Sequence, residues 1–375
     1  MHPSKDLRGA ALAQALDFRA LPKVLLHEHL DGGLRPATVA DLARQDGYEG
    51  LPTMEPDELA AWFHRGAQRG SLPEYLEGFQ HTIAVMQSAE SLQRVAYEFI
   101  EDMAEDGVIY AEVRFAPVFH TEAGLSQDEV VAEVVKGLTR GGKEFGVEWG
   151  LIICAMRNRQ DSLEAAELAI RWRDRGVVGF DLAGEEAGYP PKDHLKAFQA
   201  IHRANFNITI HAGEAFGKES IWQALQWCGT HRLGHGTRLV EDFVEKEEEV
   251  LQVGSLARYV LDHRIPLEMC VSSNIDTGAC SSLATHPFPL FLRRGFRVSL
   301  NTDDRLMSDT ELSKEYRIAT EAFDLDLDDL EKITLNAMKS AFAPHKKRVE
   351  LITGAILPGY AKWTGSEDQA ARHTG

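Results

Sequence analysis

The chain alternates short apolar runs with longer segments of helical periodicity. Eight of these runs end in polar or glycine-containing corners. Each is apolar enough to form a strand that is buried on both faces. They are VLLHEHL from Val24, VIYAEVRF from Val108, VEWGLIICAM from Val147, VVGFDLAG from Val177, NITIHAG from Asn207, RLGHGT from Arg232, PLEMCVSSN from Pro266 and RVSLNTDD from Arg297.

Amphipathic segments separate the apolar runs and predict helices between them. Strands that alternate with helices pair in parallel through crossovers, so eight such units predict an α/β fold, a (β/α)8 TIM barrel. An open doubly wound sheet is the alternative, but its first turn usually carries Gly-x-Gly-x-x-Gly, which HEHLDGG lacks. The clearest predicted helices cover 91–106, 127–145, 162–175, 193–205 and the long segment VEKEEEVLQVGSLARYVLDH at 244–263.

Two segments extend the basic barrel. The connection over 34–107 has room for several helices, including SLPEYLEGFQHTIAVM, and predicts an inserted helical segment after strand 1 that covers one end of the barrel. Residues 307–364 predict extra C-terminal helices. No linker or internal repeat divides the sequence, so we expect residues 1–375 to form a single catalytic barrel domain, with a frayed tail over 365–375.

The composition narrows the possible partners. The chain carries 58 acidic and 40 basic residues, a formal net charge of −18. Such a surface repels phosphate backbones and anionic membranes, so we expect a small neutral substrate, no nucleic acid and no membrane. No segment has the apolar core of a signal peptide or the roughly 18 apolar residues of a membrane span. Without Cys-x-x-Cys spacing, buried free thiols in a reducing cytoplasm are expected for Cys154, Cys228, Cys270 and Cys280.

Ionisable side chains recur at the carboxyl ends of five predicted strands. Barrels of this type carry their active sites on that face, so we expect these residues to converge on one point. They are His27, His29 and Asp31 after the first strand, Asp181 with Gly184 after the fourth, His211 and Glu214 after the fifth, His235 after the sixth, and Asp303 and Asp304 after the eighth.

The His27–His29 pair has the spacing of a chelating strand end, because residues i and i+2 share one face of a strand. Alone the pair is weak evidence for a metal site, since 15 histidines in 375 residues give about 0.6 such pairs by chance. A hydrogen-bonded structural pair is then the ordinary interpretation. Joined by His211 and Asp303, the set of three imidazoles and one carboxylate suits zinc and leaves space for a water, which is typical of a catalytic site.

Four residues also allow an ordinary structural interpretation. His231 fits a loop residue. His120, which follows the second strand, is as readily a surface histidine as a site residue. Adjacent acids such as Asp303 and Asp304 usually form a solvated turn or a helix cap, but the apolar strand that leads into them argues against a merely solvated pair.

Six motifs resemble, in this order, those of the adenosine deaminases, which belong to the amidohydrolase-type barrels. The resemblance covers about 21–354, and GFRVSLNTDDRLMSDTELSKEY is similar to bacterial versions of that segment. It implies hydrolytic deamination of adenosine and 2′-deoxyadenosine to inosine and 2′-deoxyinosine plus ammonia, in purine salvage. The motifs are HEHLDGGLRP, DLAGEE, HAGE, GHGT, SSNIDTGA and NTDD.

The resemblance also implies roles for individual residues. One Zn2+ ion per chain would be held by His27, His29, His211 and Asp303. Glu214 would donate a proton to purine N1, and His235 would act as base toward the attacking water.

On the substrate side, Asp304 would bind N7, the backbone N–H of Gly184 would meet N3, and Asp31 would bind the ribose 5′-hydroxyl. SLPEYLEGF is similar to the family's hydrophobic gate, which places Leu72, Tyr75, Leu76 and Phe79 near the purine entrance.

Rival functions share this machinery. Deaminases of adenine, of nucleotides and of 6-amino-6-deoxyfutalosine would use the same zinc site, although Asp31 favours a ribose hydroxyl over a free base. A nucleotide needs a cationic pocket, for which Arg35 and Arg305 are the possible contacts. A dinuclear amidohydrolase would need a lysine in VVGFDLAGEE, which has none. A non-catalytic zinc-binding barrel would have lost Glu214 or His235, and both are present.

Overall fold

A computed structural model describes residues 7–246 and 250–364, and its centre is a ring of eight parallel strands. Two four-stranded sheets, ordered β1-β2-β3-β4 and β10-β9-β6-β5, meet through bridges at Glu28–Asp303 and Phe180–Ile208. The predicted (β/α)8 barrel is therefore confirmed. The described residues contain ten strands, of which β7 and β8 form a separate pair outside the barrel. They are β1 Lys23–Leu25, β2 Val108–Phe115, β3 Glu148–Met156, β4 Val177–Ala183, β5 Thr209–Ala212, β6 Arg232–His235, β7 Phe243–Lys246, β8 Val250–Val253, β9 Leu267–Met269 and β10 Val298–Leu300.

Helices surround this barrel, and the described residues contain seventeen of α type. They are α1 Gly9–Ala15, α2 Pro36–Asp46, α3 Pro56–Ala67, α4 Leu72–Tyr75, α5 Phe79–Ala84, α6 Ala89–Glu105, α7 Gln127–Phe145, α8 Ser162–Arg171, α9 Leu195–Arg203, α10 Lys218–Gln226, α11 Ser255–Asp262, α12 Val271–Asp276, α13 Phe288–Arg293, α14 Leu312–Phe323, α15 Leu327–Ser340, α16 His345–Leu351 and α17 Leu357–Thr364.

Local start signals explain why several helices match their predicted bounds. The Ser88 side chain accepts from the backbone N–H of Ser91 at the start of α6, and Ser126 does the same for Glu129 at the start of α7. Such capping boxes satisfy N–H groups that have no partner within the helix. The apolar stripes of both helices then pack on each other and on the barrel.

The predicted long helix over 244–263 is wrong in its first half. There β7 pairs antiparallel with β8, and only Ser255–Asp262 is helical. The cause is Asp242, whose side chain accepts from the backbone N–H groups of Leu256 and Ala257 at 2.9 and 3.0 Å and so starts α11. Gly254 lies so close that a Cβ there would come within 2.3 Å of Asp242 Oδ2, which breaks the helical pattern at this residue.

The insertion and the C-terminal region are helical, as predicted. Helices α2 to α6 lie within 34–107, and α14 to α17 follow the last strand. All four cysteines are buried and free. Among the described residues, no helix combines the length and apolarity that a membrane crossing requires. The frayed tail expected over 365–375 lies outside the described residues.

Candidate active site

A cavity of about 470 Å³ opens at the carboxyl ends of the barrel strands. The side chain of His27 is fully buried beneath it. All other residues predicted from the sequence to bind metal, react or hold substrate line this cavity. These are His29, Asp31, Leu72, Tyr75, Leu76, Phe79, Gly184, His211, Glu214, His235, Asp303 and Asp304.

Three imidazoles and a carboxylate converge on one point at the base of the cavity. Nε2 of His211 lies 3.1 Å from Nε2 of both His27 and His29. Oδ1 of Asp303 lies 3.1 Å from Nε2 of His27 and 3.6 Å from Nε2 of His29. Bonds of about 2.0–2.1 Å to one tetrahedrally held ion place its ligand atoms roughly 3.3 Å apart. Four of the six distances among these donor atoms therefore fit a single metal ion.

His235 lies at the edge of the same cluster. His27, His211, His235 and Asp303 each place one possible ligand atom here, and these four atoms all lie within 4.8 Å of one another. Nε2 of His235 is 4.0 Å from Oδ2 of Asp303, which is longer than the distances among the other imidazoles. His235 would thus lie beside a metal ion held by the cluster, where it could reach a molecule that the metal also contacts.

Two buried carboxylates orient the metal-facing rings. Nδ1 of His27 donates to Glu268 at 2.7 Å, and Nδ1 of His211 donates to Asp181 at 3.0 Å. Arg114 joins both carboxylates at 2.8 and 3.0 Å. A proton on Nδ1 leaves the Nε2 lone pair of each ring for the metal. Sequence reasoning missed Glu268 and Arg114, whose signal was a charged residue inside an otherwise apolar strand.

The backbone at the site adopts unusual conformations. His235 and Asp303 have φ angles of 60° and 66°, in the left-handed region that costs a residue with a side chain roughly 1–3 kcal/mol. Gly32 makes room for the side chain of Asp304, because a Cβ there would lie 1.8 Å from Oδ1 of Asp304. The surrounding fold therefore holds these residues in the positions that the cavity requires.

Two carboxyl groups in the cavity favour the protonated form. Burial, reinforced by the negative charges of Asp303 and Glu186, raises the pKa of Glu214 well above its usual range. Burial and the charge of Asp303 likewise raise the pKa of Asp304. A neutral carboxyl donates a hydrogen bond, so each group can serve a basic atom of a ligand.

A chain of hydrogen bonds sets the proton position on His235. The backbone N–H of Phe288 donates to Nδ1 of His286 at 3.2 Å, so the His286 proton is on Nε2, which lies 3.3 Å from Oδ1 of Asn274. Nδ2 of Asn274 then donates to Nδ1 of His235 at 2.9 Å.

Burial lowers the pKa of His235 well below its usual value, so its ring is neutral. Because Nδ1 accepts from Asn274, the remaining ring proton is on Nε2, the nitrogen nearer the metal cluster. In this tautomer Nε2 of His235, which has no hydrogen-bond partner among the described residues, can donate to a molecule in the site. The base role implied by the resemblance requires the other tautomer.

Glu186 organises the loop after β5. Its carboxylate accepts from the backbone N–H groups of Gly213, Glu214, Ala215 and Phe216 at 2.6, 3.0, 2.7 and 2.8 Å. Four donors around one buried carboxylate fix the loop between a metal-facing histidine and the protonated glutamate. Glu186 belongs to the DLAGEE motif, but the sequence alone gave it no role.

Asp31 and His120 form a buried pair at the wall of the cavity. Nε2 of His120 lies 3.5 Å from Oδ2 of Asp31, and Nδ1 of His120 donates to the carbonyl of Met86 at 3.0 Å. The interpretation of His120 as a surface histidine is wrong: the turn Pro117–His120 buries it completely beneath the inserted helices. Oδ1 of Asp31 has no partner among the described residues and can accept from a ligand.

The helical insertion presents carbon surface to the cavity through Leu72, Tyr75, Leu76 and Phe79. Tyr75 is 2% exposed, and its hydroxyl lies 3.1 Å from Oγ of Ser308. Since the protein itself satisfies this hydroxyl, the segment remains an apolar wall despite the tyrosine.

The two arginines considered as phosphate contacts do not line this cavity. Arg35 pairs with Glu101 and Asp102, both at 2.7 Å or less, and Arg305 pairs with Glu28 and Asp102 at 2.8 and 2.7 Å. Both cations are neutralised by carboxylates, so neither supplies a phosphate pocket beside the metal cluster.

Comparison with known proteins agrees with this geometry. The profile of the adenosine deaminase family matches residues 22–356. The chain is 54% identical over 350 residues to adenosine deaminase 1 of Streptomyces coelicolor, covering 92% of this chain and 88% of that protein. It is 52% identical over 357 residues to the adenosine deaminase of Mycobacterium avium, covering 93% and 98%. The crystal structure of adenine deaminase from Arthrobacter aurescens superposes with a TM-score of 0.81 at 24% identity, covering 92% and 100%, and bears on the fold alone.

Proposed function

The chain belongs to the adenosine deaminase family, and from that premise we propose that it hydrolyses the 6-amino group of adenosine and 2′-deoxyadenosine. The products are inosine or 2′-deoxyinosine and ammonia, as in purine salvage. The observation that carries this proposal is the buried, protonated Glu214 beside a cluster of metal-binding side chains. Cytoplasmic location belongs to the same proposal, because four free buried thiols suit a reducing compartment.

The proposed cofactor is one zinc ion per chain, with His27, His29, His211 and Asp303 as its ligands. Borderline nitrogen donors and one hard oxygen donor suit zinc, and the distances of 3.1 to 3.6 Å between donor atoms suit its short bonds. A zinc ion held by these residues would lower the pKa of a water molecule and so supply a nucleophile at neutral pH.

Glu214 supplies the proton that the purine ring requires. Attack at C6 places electron density on N1, and a neutral carboxyl at that atom can transfer its proton as the C–O bond forms. Burial and two neighbouring carboxylates raise the pKa of Glu214 well above its usual range and so favour retention of this proton. Glu186 holds the loop that carries it, so the donor is positioned before substrate enters.

Asp303 and His235 guide the attacking water. Oδ2 of Asp303 accepts from Oγ of Ser273 at 2.6 Å and lies 4.0 Å from Nε2 of His235. We assign His235 as the donor that holds the water oxygen toward C6, and Asp303 as the group that accepts the water's proton. That proton then leaves with the amino group as ammonia, and the proton of the C6 hydroxyl returns to Glu214 as the C6 carbonyl forms, which balances the hydrolysis.

The remaining polar groups fit a purine nucleoside. The protonated Asp304 can donate to N7, the backbone N–H of Gly184 can donate to N3, and the free oxygen of Asp31 can accept from the ribose 5′-hydroxyl. The apolar wall formed by the helical insertion covers the base. The negative Asp31 would repel a 5′-phosphate, which disfavours AMP.

The test is an ultraviolet assay of the purified protein with adenosine, 2′-deoxyadenosine, adenine, AMP and 6-amino-6-deoxyfutalosine. We expect the two nucleosides to have the highest kcat/KM. Preference for adenine would contradict the assignment of Asp31 to the ribose 5′-hydroxyl. Preference for 6-amino-6-deoxyfutalosine would indicate that Asp31 binds a longer 5′ substituent. No turnover of any of them by zinc-loaded protein would favour a non-catalytic barrel.

A further inference from the structure

A second cavity, of about 330 Å³, lies at the opposite face of the barrel from the candidate active site. It is lined by Asn207, His231, Pro266 and Arg297, each at or just before the first residue of a barrel strand. The amino ends of parallel strands share one face of a barrel and the carboxyl ends share the other. We call this second site the basal cavity.

The basal cavity has one sign of charge. Half of its fourteen lining residues are basic, and none is aspartate or glutamate, in a chain with 58 acidic and 40 basic residues. A cationic concavity on an acidic protein is the reverse of what its composition produces on average. The basic residues are His231, Arg232, His263, Arg264, Arg297, Lys339 and Arg348.

Four of the five arginine and lysine side chains in this set form no ion pair with a carboxylate among the described residues. Arg264 and Arg348 donate to backbone carbonyls, those of Gly295 at 2.5 Å and Lys339 at 2.8 Å, which carry no net charge. Burial lowers the pKa of Arg297, and the charges of Arg264 and Arg348 lower it further, so the guanidinium groups repel one another.

Arg232 is the exception, since it pairs with Glu112 and Glu268 inside the barrel at 2.7 and 2.5 Å. It nevertheless retains Nη2 without a hydrogen-bond partner among the described residues, as Arg297 and Arg348 each retain Nε. Guanidinium donors left without acceptors at a cavity wall call for an explanation, because such groups are normally satisfied in folded proteins.

We propose that the basal cavity is an anion site that binds a phosphate group, free or carried by a small metabolite. Guanidinium groups match phosphate oxygens through paired, charge-assisted hydrogen bonds, and a lysine adds a point charge. A bound dianion would also relieve the repulsion among Arg264, Arg297 and Arg348. The negative charge of the rest of the surface disfavours a nucleic-acid backbone and leaves a compact phosphate as the ligand.

The proposal is independent of the deaminase function and is tested by thermal unfolding of the zinc-loaded protein. Inorganic phosphate, pyrophosphate and ribose 5-phosphate are titrated at constant ionic strength, and calorimetry measures their dissociation constants. We expect a saturable rise in Tm. The double variant Arg297→Gln/Arg348→Gln should bind about tenfold to a hundredfold more weakly, because charge-assisted hydrogen bonds are removed. Preference for ribose 5-phosphate over inorganic phosphate would identify the phosphate as part of a metabolite.

Two controls distinguish this site from general salt effects. Lys339→Gln, at an exposed side chain, should also weaken binding without risk to folding. Arg140→Gln removes an arginine that lies over the Tyr97 ring outside the basal cavity and should bind like the parent. A linear, unsaturated rise in Tm that is equal in all variants is the general effect of excluded anions and would overturn the proposal. So would a tungstate peak, in crystals soaked with this phosphate analogue, located away from Arg297 and Arg348.

Discussion

The proton of Glu214 is the residue-scale feature on which the proposed chemistry depends. Glu214→Gln keeps the shape of the side chain but removes the transferable proton. General acid catalysis contributes roughly 10²–10⁴-fold, so kcat should fall by about that factor. Steady-state assays measure kcat, and elemental analysis serves as the control because zinc content should not change. A variant with nearly full activity would show that another group protonates the purine.

The tautomer of His235 gives a second residue-scale prediction. Asn274 donates to Nδ1 of His235, whereas Asn274→Asp would accept there and move the ring proton from Nε2 to Nδ1. If His235 acts by donating to the attacking water, kcat should fall by roughly tenfold to a hundredfold, the usual effect of losing a hydrogen bond to a charged group. An unchanged or higher kcat would restore His235 to the role of general base, which the opposite tautomer favours.

At the scale of elements, the loop after β5 joins a metal-facing histidine to the proton donor and has little structure of its own. Its order comes from Glu186, which accepts four successive N–H groups. Glu186→Gln places an amide N–H against those donors. We expect kcat to fall by at least about tenfold, with a smaller change in KM, because misplacement of a catalytic group affects the transition state more than binding.

A matched control for this loop is available on the adjoining helix. Glu219→Gln changes an exposed glutamate in the first turn of α10, outside the cavity, and should leave both kcat and KM unchanged. A lower Tm and a partial loss of zinc in Glu186→Gln, together with the fall in kcat, would instead mean that Glu186 supports the barrel as a whole.

At the scale of the whole molecule, the residues of the proposed metal site come from strands in both halves of the barrel. His27 and His29 follow β1, His211 lies on β5 and Asp303 follows β10. Zinc that binds only the folded chain should therefore raise Tm as its concentration exceeds its dissociation constant. We expect one zinc per chain, loss of activity and a lower Tm after chelation, and recovery of both with one equivalent of zinc. Two metals per chain, or full activity of metal-free protein, would contradict the assignment.

The sequence by itself determined the architecture and most of the residues that meet in the cavity. Apolar runs and helical periodicity reflect local burial, so they identified eight strands and, through them, the face on which residues such as His211 and Asp303 lie. The HAGE motif after the fifth predicted strand likewise placed Glu214 on this face. These inferences needed only neighbours in sequence and the rule that parallel strands end on one face.

Only the tertiary structure decided which distant residues become partners. His27 meets Glu268, Glu186 meets the loop after β5, and Asn274 meets His235 once the barrel closes. Likewise, His120 is buried because the inserted helices cover it. The antiparallel pair β7–β8 occupies the first half of a predicted helix, because Asp242 starts α11 only at Ser255. Periodicity records which face of an element is buried, whereas hydrogen-bond partners depend on distances that closure of the whole barrel sets.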